Sequence, residues 1–263
     1  MDYIKSNKQA WENAFDNRSG KYALDLKRRL KEATNPFFYK DFYDVLEQYD
    51  FKDKNIVQFC SNNGRELLQV ATKGVNKAVG FELAKNMVTY GNEVAKDLSL
   101  NATFIEQDIL TIDDAYNNQF DYGLITVGAL CWFKDLNLFF NKVANTLKEG
   151  ATLFIHESHP FENILATKDE PAYDKLNSKK ITYNYFGKTV WEENSMGYMS
   201  DTSSNDHVFT SFSHTLTDIF KAMIDNGLMI QQFKEHDYCV GNILTHLDHE
   251  GLPLSMIVVA SKQ

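Results

Sequence analysis

The spacing of hydrophobic and polar positions changes twice along this chain. Between about residues 6 and 33, Trp11, Ala14, Phe15, Tyr22, Leu24, Leu26 and Leu30 recur at mixed helical intervals with a break at Ser19-Gly20, which predicts a helical N-terminal cap. Asn35-Pro36 interrupts the pattern, and Phe37 to Tyr49 resumes it through Phe42, Val45 and Leu46 as a further helix.

From Asn55 short apolar runs alternate with helical stretches. Ile56 to Phe59, Lys77 to Phe81, Ala102 to Glu106, Phe120 to Val127 and Thr152 to His156 are the predicted strands, with Arg65 to Thr72, Ala84 to Leu98 and Leu136 to Leu147 as helices between them. That alternation predicts βαβ units, a parallel sheet and an α/β fold. Residues 157 to 214 lose the rhythm: the aromatic stretch Ile181-Thr182-Tyr183-Asn184-Tyr185-Phe186 and the polar run Ser200 to Asp206 suggest an inserted antiparallel hairpin with a loop. Leu216 to Asn226 is then a helix stopped by Gly227, followed by strands Met229 to Phe233 and Ser255 to Ala260. The expected organisation is a single domain over 1–263. It comprises a cap (1–50), a core (51–156), a substrate-side insert (157–214) and a closing helix with a strand pair (215–263).

Composition narrows the possible partners. The 263 residues, 43% hydrophobic and 24% charged, can bury a sizeable core. The formal charge of -9 opposes binding to a phosphate backbone, and the basic run Lys27-Arg28-Arg29 with Lys31 looks like one solvated helix face, so nucleic acid is not an expected partner. Cys60, Cys131 and Cys239 are far apart and form no C-x-x-C, which suggests neither a disulfide framework nor a zinc site; a reducing cytoplasmic setting fits. No apolar stretch approaches the roughly 18 residues of a membrane span, and none opens the chain as a leader would. His246-Leu247-Asp248-His249 is too short a pattern to assign a metal, and the oligomeric state is not readable.

In a doubly wound sheet the ligand lies beyond the carboxyl ends of the strands. After the first strand comes the tight polar turn Cys60-Ser61-Asn62-Asn63-Gly64, entering a helix. The second strand ends at Glu82, placed to accept the hydroxyls of a ribose; the third ends at Asp108-Ile109, suited to an adenine amino group and ring; the fourth ends near Gly128, where small residues leave room for a reacting group. A dinucleotide would call for G-x-G-x-x-G around its pyrophosphate, whereas this turn has one glycine and Glu66 in the first helical turn, which disfavours an anion.

With those residues the chain resembles class I S-adenosylmethionine-dependent methyltransferases over roughly residues 50 to 263, most closely the small-molecule type with a long insert after the fifth strand. Ile56-Val57-Gln58-Phe59-Cys60-Ser61-Asn62-Asn63-Gly64 stands where that family usually has V-L-D-L-G-C-G-x-G, and only Gly64 keeps the glycine. The resemblance implies a Rossmann-like seven-stranded sheet of order 3-2-1-4-5-7-6 with helices on both faces, and S-adenosylmethionine as cofactor. It implies cofactor contacts from Cys60, Ser61, Asn62, Gly64, Glu82, Leu83, Met87, Asp108, Ile109 and Gly128, with Tyr3 and Trp11 of the N-terminal helix closing the site.

At the end of the fifth strand, His156-Glu157-Ser158-His159-Pro160 faces the place of a methyl acceptor, so His156 and His159 are the candidate orienting or deprotonating groups. Cys60 is expected to be a small buried residue and not a nucleophile. Trp132 with Phe133, and Tyr183, Tyr185, Phe186, Trp191 and Tyr198 of the insert, are candidates to wall an acceptor pocket, the latter group equally able to form the insert's own core. The expected activity is methyl transfer to a small-molecule acceptor by in-line displacement. The alternative is a module of the same fold that binds S-adenosylmethionine or S-adenosylhomocysteine without transfer.

Overall fold

The computed structural model describes residues 3–19, 25–194, 199 and 207–263; Tyr22, Leu24, Tyr198 and the polar run 200–206 lie outside them. Among the described residues the N-terminal cap opens with α1 (Tyr3–Asp16) and α2 (Leu26–Glu32), the second started by Asp25, whose side chain accepts from the Arg28 amide. The basic run is on α2 and is paired locally, Lys27 with Asp97 at 2.8 Å and Arg28 with Glu32 at 2.6 Å. Helix α3 (Lys40–Leu46) is shorter than the apolar pattern predicts. Asn35 explains the late start: its side chain accepts from the Phe38 amide and donates to the Phe38 carbonyl, both at 3.1 Å, and holds the chain in a bend.

The core follows the order read from the sequence: β1 (Asn55–Phe59), α4 (Arg65–Ala71), β2 (Lys77–Glu82), α5 (Lys85–Asp97), β3 (Ala102–Glu106), β4 (Phe120–Ile125), α6 (Leu136–Thr146) and β5 (Leu147–Ser158). Two boundaries move. The fourth strand stops at Ile125, and the fifth begins at Leu147, which pairs with Phe120 across a register shift; a leucine that helical spacing assigns to α6 therefore belongs to the sheet.

The insert contains β6 (Val190–Glu193) paired antiparallel with β7 (Phe209–Phe212). The aromatic stretch 181–186 is outside that hairpin; Ile181 bridges to Leu165, and the amides of Thr182 and Tyr183 donate to the Ile164 carbonyl at 2.8 and 3.1 Å. Helix α7 (Leu216–Asp225) opens with a capping box formed by Thr215 and Asp218. β8 (Leu228–His236) and β9 (Ser255–Lys262) close the sheet, β9 lying antiparallel between β5 and β8. The seven-stranded sheet has the order β3-β2-β1-β4-β5-β9-β8, which is 3-2-1-4-5-7-6 once the two insert strands are set aside.

Alternation along the buried strands builds two cores. Val57 and Phe59 face α6 and α7 with Phe139, Phe140 and Met223, while Ile56, Ala78 and Leu124 face α3, α4 and α5. Among the described residues, no helix is long and apolar enough to cross a membrane.

Candidate active site

The carboxyl edge of the sheet is organised by the turn after β1. Cys60, Asn62 and Gly64 all have left-handed backbone, with φ of 54°, 49° and 82°. These are the three positions where the sequence resemblance places glycines, so the turn keeps that backbone path with side chains at two of them. Asn visits this region more readily than other non-glycine residues, and a cysteine there costs about 1–2 kcal/mol. Gly64 has no such freedom, since a Cβ would lie 2.3 Å from Cζ of Phe104. The same ring bounds Gly80 and Gly91, where a Cβ would approach it to 2.5 and 2.8 Å. Phe104 on β3 thus occupies a hollow made by three glycines from three elements. Gln58, fully buried, donates to Thr126 Oγ1 at 3.0 Å and links β1 to β4.

Glu82 ends β2 and is 8% exposed. Its Oε2 accepts from the Asn62 amide at 2.8 Å, and its Oε1 accepts from the amides of Leu83 and Ala84 at 2.8 and 2.9 Å. Burial pushes the carboxyl up and the three amides oppose it. A carboxylate offers about four lone-pair sites, so Oε2 retains one for a hydroxyl donor. Asp108 caps the short 3-10 helix Ile109–Thr111 by accepting from the Leu110 amide at 3.0 Å, and it also lines the cavity beside Ile109.

Sequence reasoning passed over Glu157. This residue, 5% exposed at the end of β5, accepts from the amides of Gly128, Ala129 and Leu130 at 2.6, 2.8 and 3.2 Å, and from that of Ser158 at 3.0 Å. It ties the loop after β4 to the neighbouring strand. Burial raises its carboxyl and the four amides lower it. The available signal was an acidic residue just beyond the apolar run Leu153-Phe154-Ile155. Gly128 has φ 84° and nothing within 4 Å of where a Cβ would be, so the floor there is open.

The flanking histidines have commitments of their own. His156 stacks on Phe42 at 4.9 Å and meets Tyr39 edge-on at 5.5 Å; burial holds its pKa down at about 3, so the ring is neutral. His159 Nδ1 accepts from the Phe161 amide at 3.0 Å, capping the 3-10 helix Pro160–Ile164, and burial lowers its pKa as well. Burial likewise raises the thiol pKa of Cys60 well above the ordinary range, so the thiol is protonated and weakly nucleophilic.

These groups border a cavity of about 1480 Å³. Its wall includes Cys60, Asn62, Glu82, Leu83, Asp108, Ile109, Gly128, Trp132, His156 and His159 from the core side. Tyr3 and Trp11 of α1 also line it. The helix is held by the hairpin, because the Asn7 side chain donates to the Thr210 carbonyl at 2.9 Å and accepts from the Thr210 amide at 2.7 Å. Trp11 packs edge-on against both Trp132 and Phe209, at 5.3 Å each.

Other predicted residues lie behind the wall. Ser61 and Gly64 shape the turn without facing the cavity, and Met87 is packed with Ala10, Ala14 and Phe15 under α1. Tyr183 donates to Glu170 and packs edge-on against Trp191, and the Tyr185 hydroxyl accepts from the Leu216 amide at 3.1 Å. Glu170 and Trp191, not the two tyrosines, line the cavity.

Residues 50–203 match the family model described as a methyltransferase domain. A search of curated protein sequences finds no match. Among solved structures, an S-adenosylmethionine-dependent methyltransferase from Mesorhizobium loti superposes with TM-score 0.63 at 16% identity, covering 89% of this chain and 100% of that one. One from Methanosarcina mazei gives TM-score 0.60 at 17% identity, covering 86% and 98%. Geranyl diphosphate C-methyltransferase from Streptomyces coelicolor A3(2), in complex with Mg2+, geranyl diphosphate and S-adenosyl-L-homocysteine, gives TM-score 0.63 at 10% identity and covers 100% and 99%. At such identities the likeness is one of fold.

Proposed function

This chain belongs to the methyltransferase-domain family, and on that premise we propose that it transfers a methyl group from S-adenosylmethionine to a small molecule held beneath α1 and the insert. The observation that carries this reading is the left-handed backbone at Cys60, Asn62 and Gly64, joined by the Asn62 amide to Glu82. The residues fit the cofactor. Glu82 keeps an acceptor site for ribose, Asp108 and Ile109 line the adenine position, and the open floor at Gly128 leaves space for the reacting end. A cavity of about 1480 Å³ exceeds the roughly 300–1,000 Å³ of a single-ligand pocket, which suits a cofactor and an acceptor together.

S-adenosylmethionine, when bound, supplies an electrophilic methyl on a sulfonium. The chain's own part is alignment. Glu157 fixes the amides of 128–130, so the acceptor's floor is rigid where in-line geometry matters. Neutral His156, together with Tyr39 and Trp132, lines a wall that excludes water from the transfer. In this reading residues 1–50 and 157–214 form the cover, 51–156 bind the cofactor and 215–263 close the sheet. The three free cysteines are compatible with a reducing cytoplasmic location.

Calorimetric titration with S-adenosylmethionine, S-adenosylhomocysteine and NAD tests the class. Micromolar binding of the first two, with none of NAD, is expected. Glu82→Ala is expected to weaken cofactor binding about 30-fold, the equivalent of about 2 kcal/mol. Unchanged affinity in that variant would remove the ribose assignment, and binding without any methyl transfer would favour the non-catalytic alternative.

A further inference from the structure

The acceptor's charge can be read from the cavity wall, on the premise that the cavity is the methyl-transfer site. Nine carboxylates line it among the described residues, against the cations Arg29, Arg65 and Lys168. Arg65 is 2.6 Å from Glu66, and Arg29 donates to the Pro36 carbonyl at 2.9 Å. The imbalance is greatest on the side contributed by β5 and the insert, where Glu162, Asp169, Glu170, Glu192 and Glu193 face a single cation, Lys168. Trp191 and Phe212 line the same side and offer π faces.

An acidic wall alone would be only a solvated surface. Here four cavity-lining residues hold a buried polar atom with no hydrogen-bond partner inside the cavity: Oε1 of Glu162 and Nε2 of His156, His159 and His246, that of His159 lying 3.1 Å from Glu235. Glu162 is 5% exposed and His156 2%. Burial lowers the pKa of the His156 and His246 imidazoles, and a neutral ring offers one nitrogen that accepts and one that donates. An unpaired carboxylate oxygen in an acidic, aromatic setting calls for a ligand that brings donors and positive charge. A diphosphate brings neither.

We propose that the acceptor is a small basic amine, drawn in as its ammonium by the carboxylates of the insert and methylated on nitrogen, with Glu162 receiving the proton that frees the lone pair. Glu162 is on the 3-10 helix directly after β5, where it senses the charge of Glu157 and lines the same cavity. Burial pushes its carboxyl up, against the opposing effect of the Cys239 thiol and the Ser158 hydroxyl, and so makes it a better proton acceptor than an exposed carboxylate. An N–H proton passes to Glu162. The nitrogen lone pair forms the N–CH3 bond as the S–CH3 bond breaks, the bonding pair staying on sulfur. The methylated ammonium departs and Glu162 returns its proton to water.

The test begins with S-adenosylhomocysteine binding, whose absence would overturn the methyltransferase reading itself. On protein that binds it, turnover of S-adenosylmethionine is followed with phenethylamine, methylammonium and spermidine, and with phenethyl alcohol, 3-phenylpropionate and geranyl diphosphate with Mg2+. Turnover at least 10-fold faster with an amine than with every non-amine is expected. Equal rates, turnover confined to the non-amines, or no turnover with any amine would overturn the proposal. Glu162→Gln is expected to cut amine turnover at least 100-fold while S-adenosylhomocysteine binds as in the parent. The pair Glu170→Gln with Glu193→Gln, two carboxylates outside the buried core, is expected to raise the amine KM several-fold with kcat held; an unchanged KM counts against the proposal.

Discussion

Gly64→Ala perturbs the turn at the point where its geometry is most constrained. Two separable costs follow from the structure. At φ 82° a side chain meets the left-handed penalty of about 1–2 kcal/mol. The new Cβ would also lie 2.3 and 2.6 Å from Cζ and Cε1 of Phe104, a ring only 3% exposed that cannot swing into solvent, which adds the roughly 1–3 kcal/mol of an overpacked core. A loss of about 2–5 kcal/mol is expected, read as a lower urea midpoint at constant m-value. Phe104→Leu shortens the obstructing group, so in a double-mutant cycle it should recover the steric share, about 1–3 kcal/mol, and leave the backbone share in place. Asn62→Gly is the control and should change stability by less than about 1 kcal/mol, because Asn tolerates that conformation. A loss below about 1 kcal/mol in Gly64→Ala, or strict additivity with Phe104→Leu, would refute the claim that the ring in the glycine hollow sets the turn.

Two further expectations concern buried groups on the cavity wall. Glu157→Gln turns one carboxylate oxygen, which now faces two amide N–H groups, into a donor; hydrogen exchange at 128–130 should accelerate at least about 10-fold, since a bond to a charged group contributes about 1.5–3 kcal/mol, and unchanged protection would show that the loop holds itself. His156 is held at about 3 in the fold against about 6.5 when unfolded, so the unfolded chain binds more protons between those values and stability contributed by this group, complete above pH 6.5, is lost as pH falls toward 3. From pH 7 to pH 5 the parent should lose about 2 kcal/mol relative to His156→Phe, a comparison in which the buried carboxylates cancel; parallel urea stabilities for the two proteins would contradict it.

Much of the fold was legible because the core strands carry local signals that tertiary contacts reinforce. Short, mostly apolar runs bounded by turn signals, such as Ile56 to Phe59, read as buried strands. The boundary errors arose where a contact distant in sequence decides: Leu147 joins β5 through Phe120, and Phe37 and Phe38 are held out of α3 by Asn35. The places of Glu82 and Asp108 on the cavity wall were legible because they follow from strand ends alone. Glu157 was not, since its partners at 128–130 come together with it only in the folded sheet. The insert was least legible. Its aromatic residues share one composition, and only packing separates Trp191 in the wall from Tyr183 and Tyr185 behind it.

The turn itself shows why a family pattern can lose glycines and keep its form. A glycine is needed for backbone freedom, for space, or for both. Positions 60 and 62 need only the freedom, because their side chains reach the cavity, so cysteine and asparagine meet the requirement at a modest cost in strain. Position 64 needs both, because Phe104 fills the space behind it. The same reasoning applies to Gln58, where the family pattern has an acid. A carboxylate there would be fully buried between β1 and β4, whereas the neutral amide can donate to Thr126 without a charge to desolvate. The carboxyls at Glu82 and Glu157 stand nearby on the cavity wall, where backbone amides oppose the effect of burial on each.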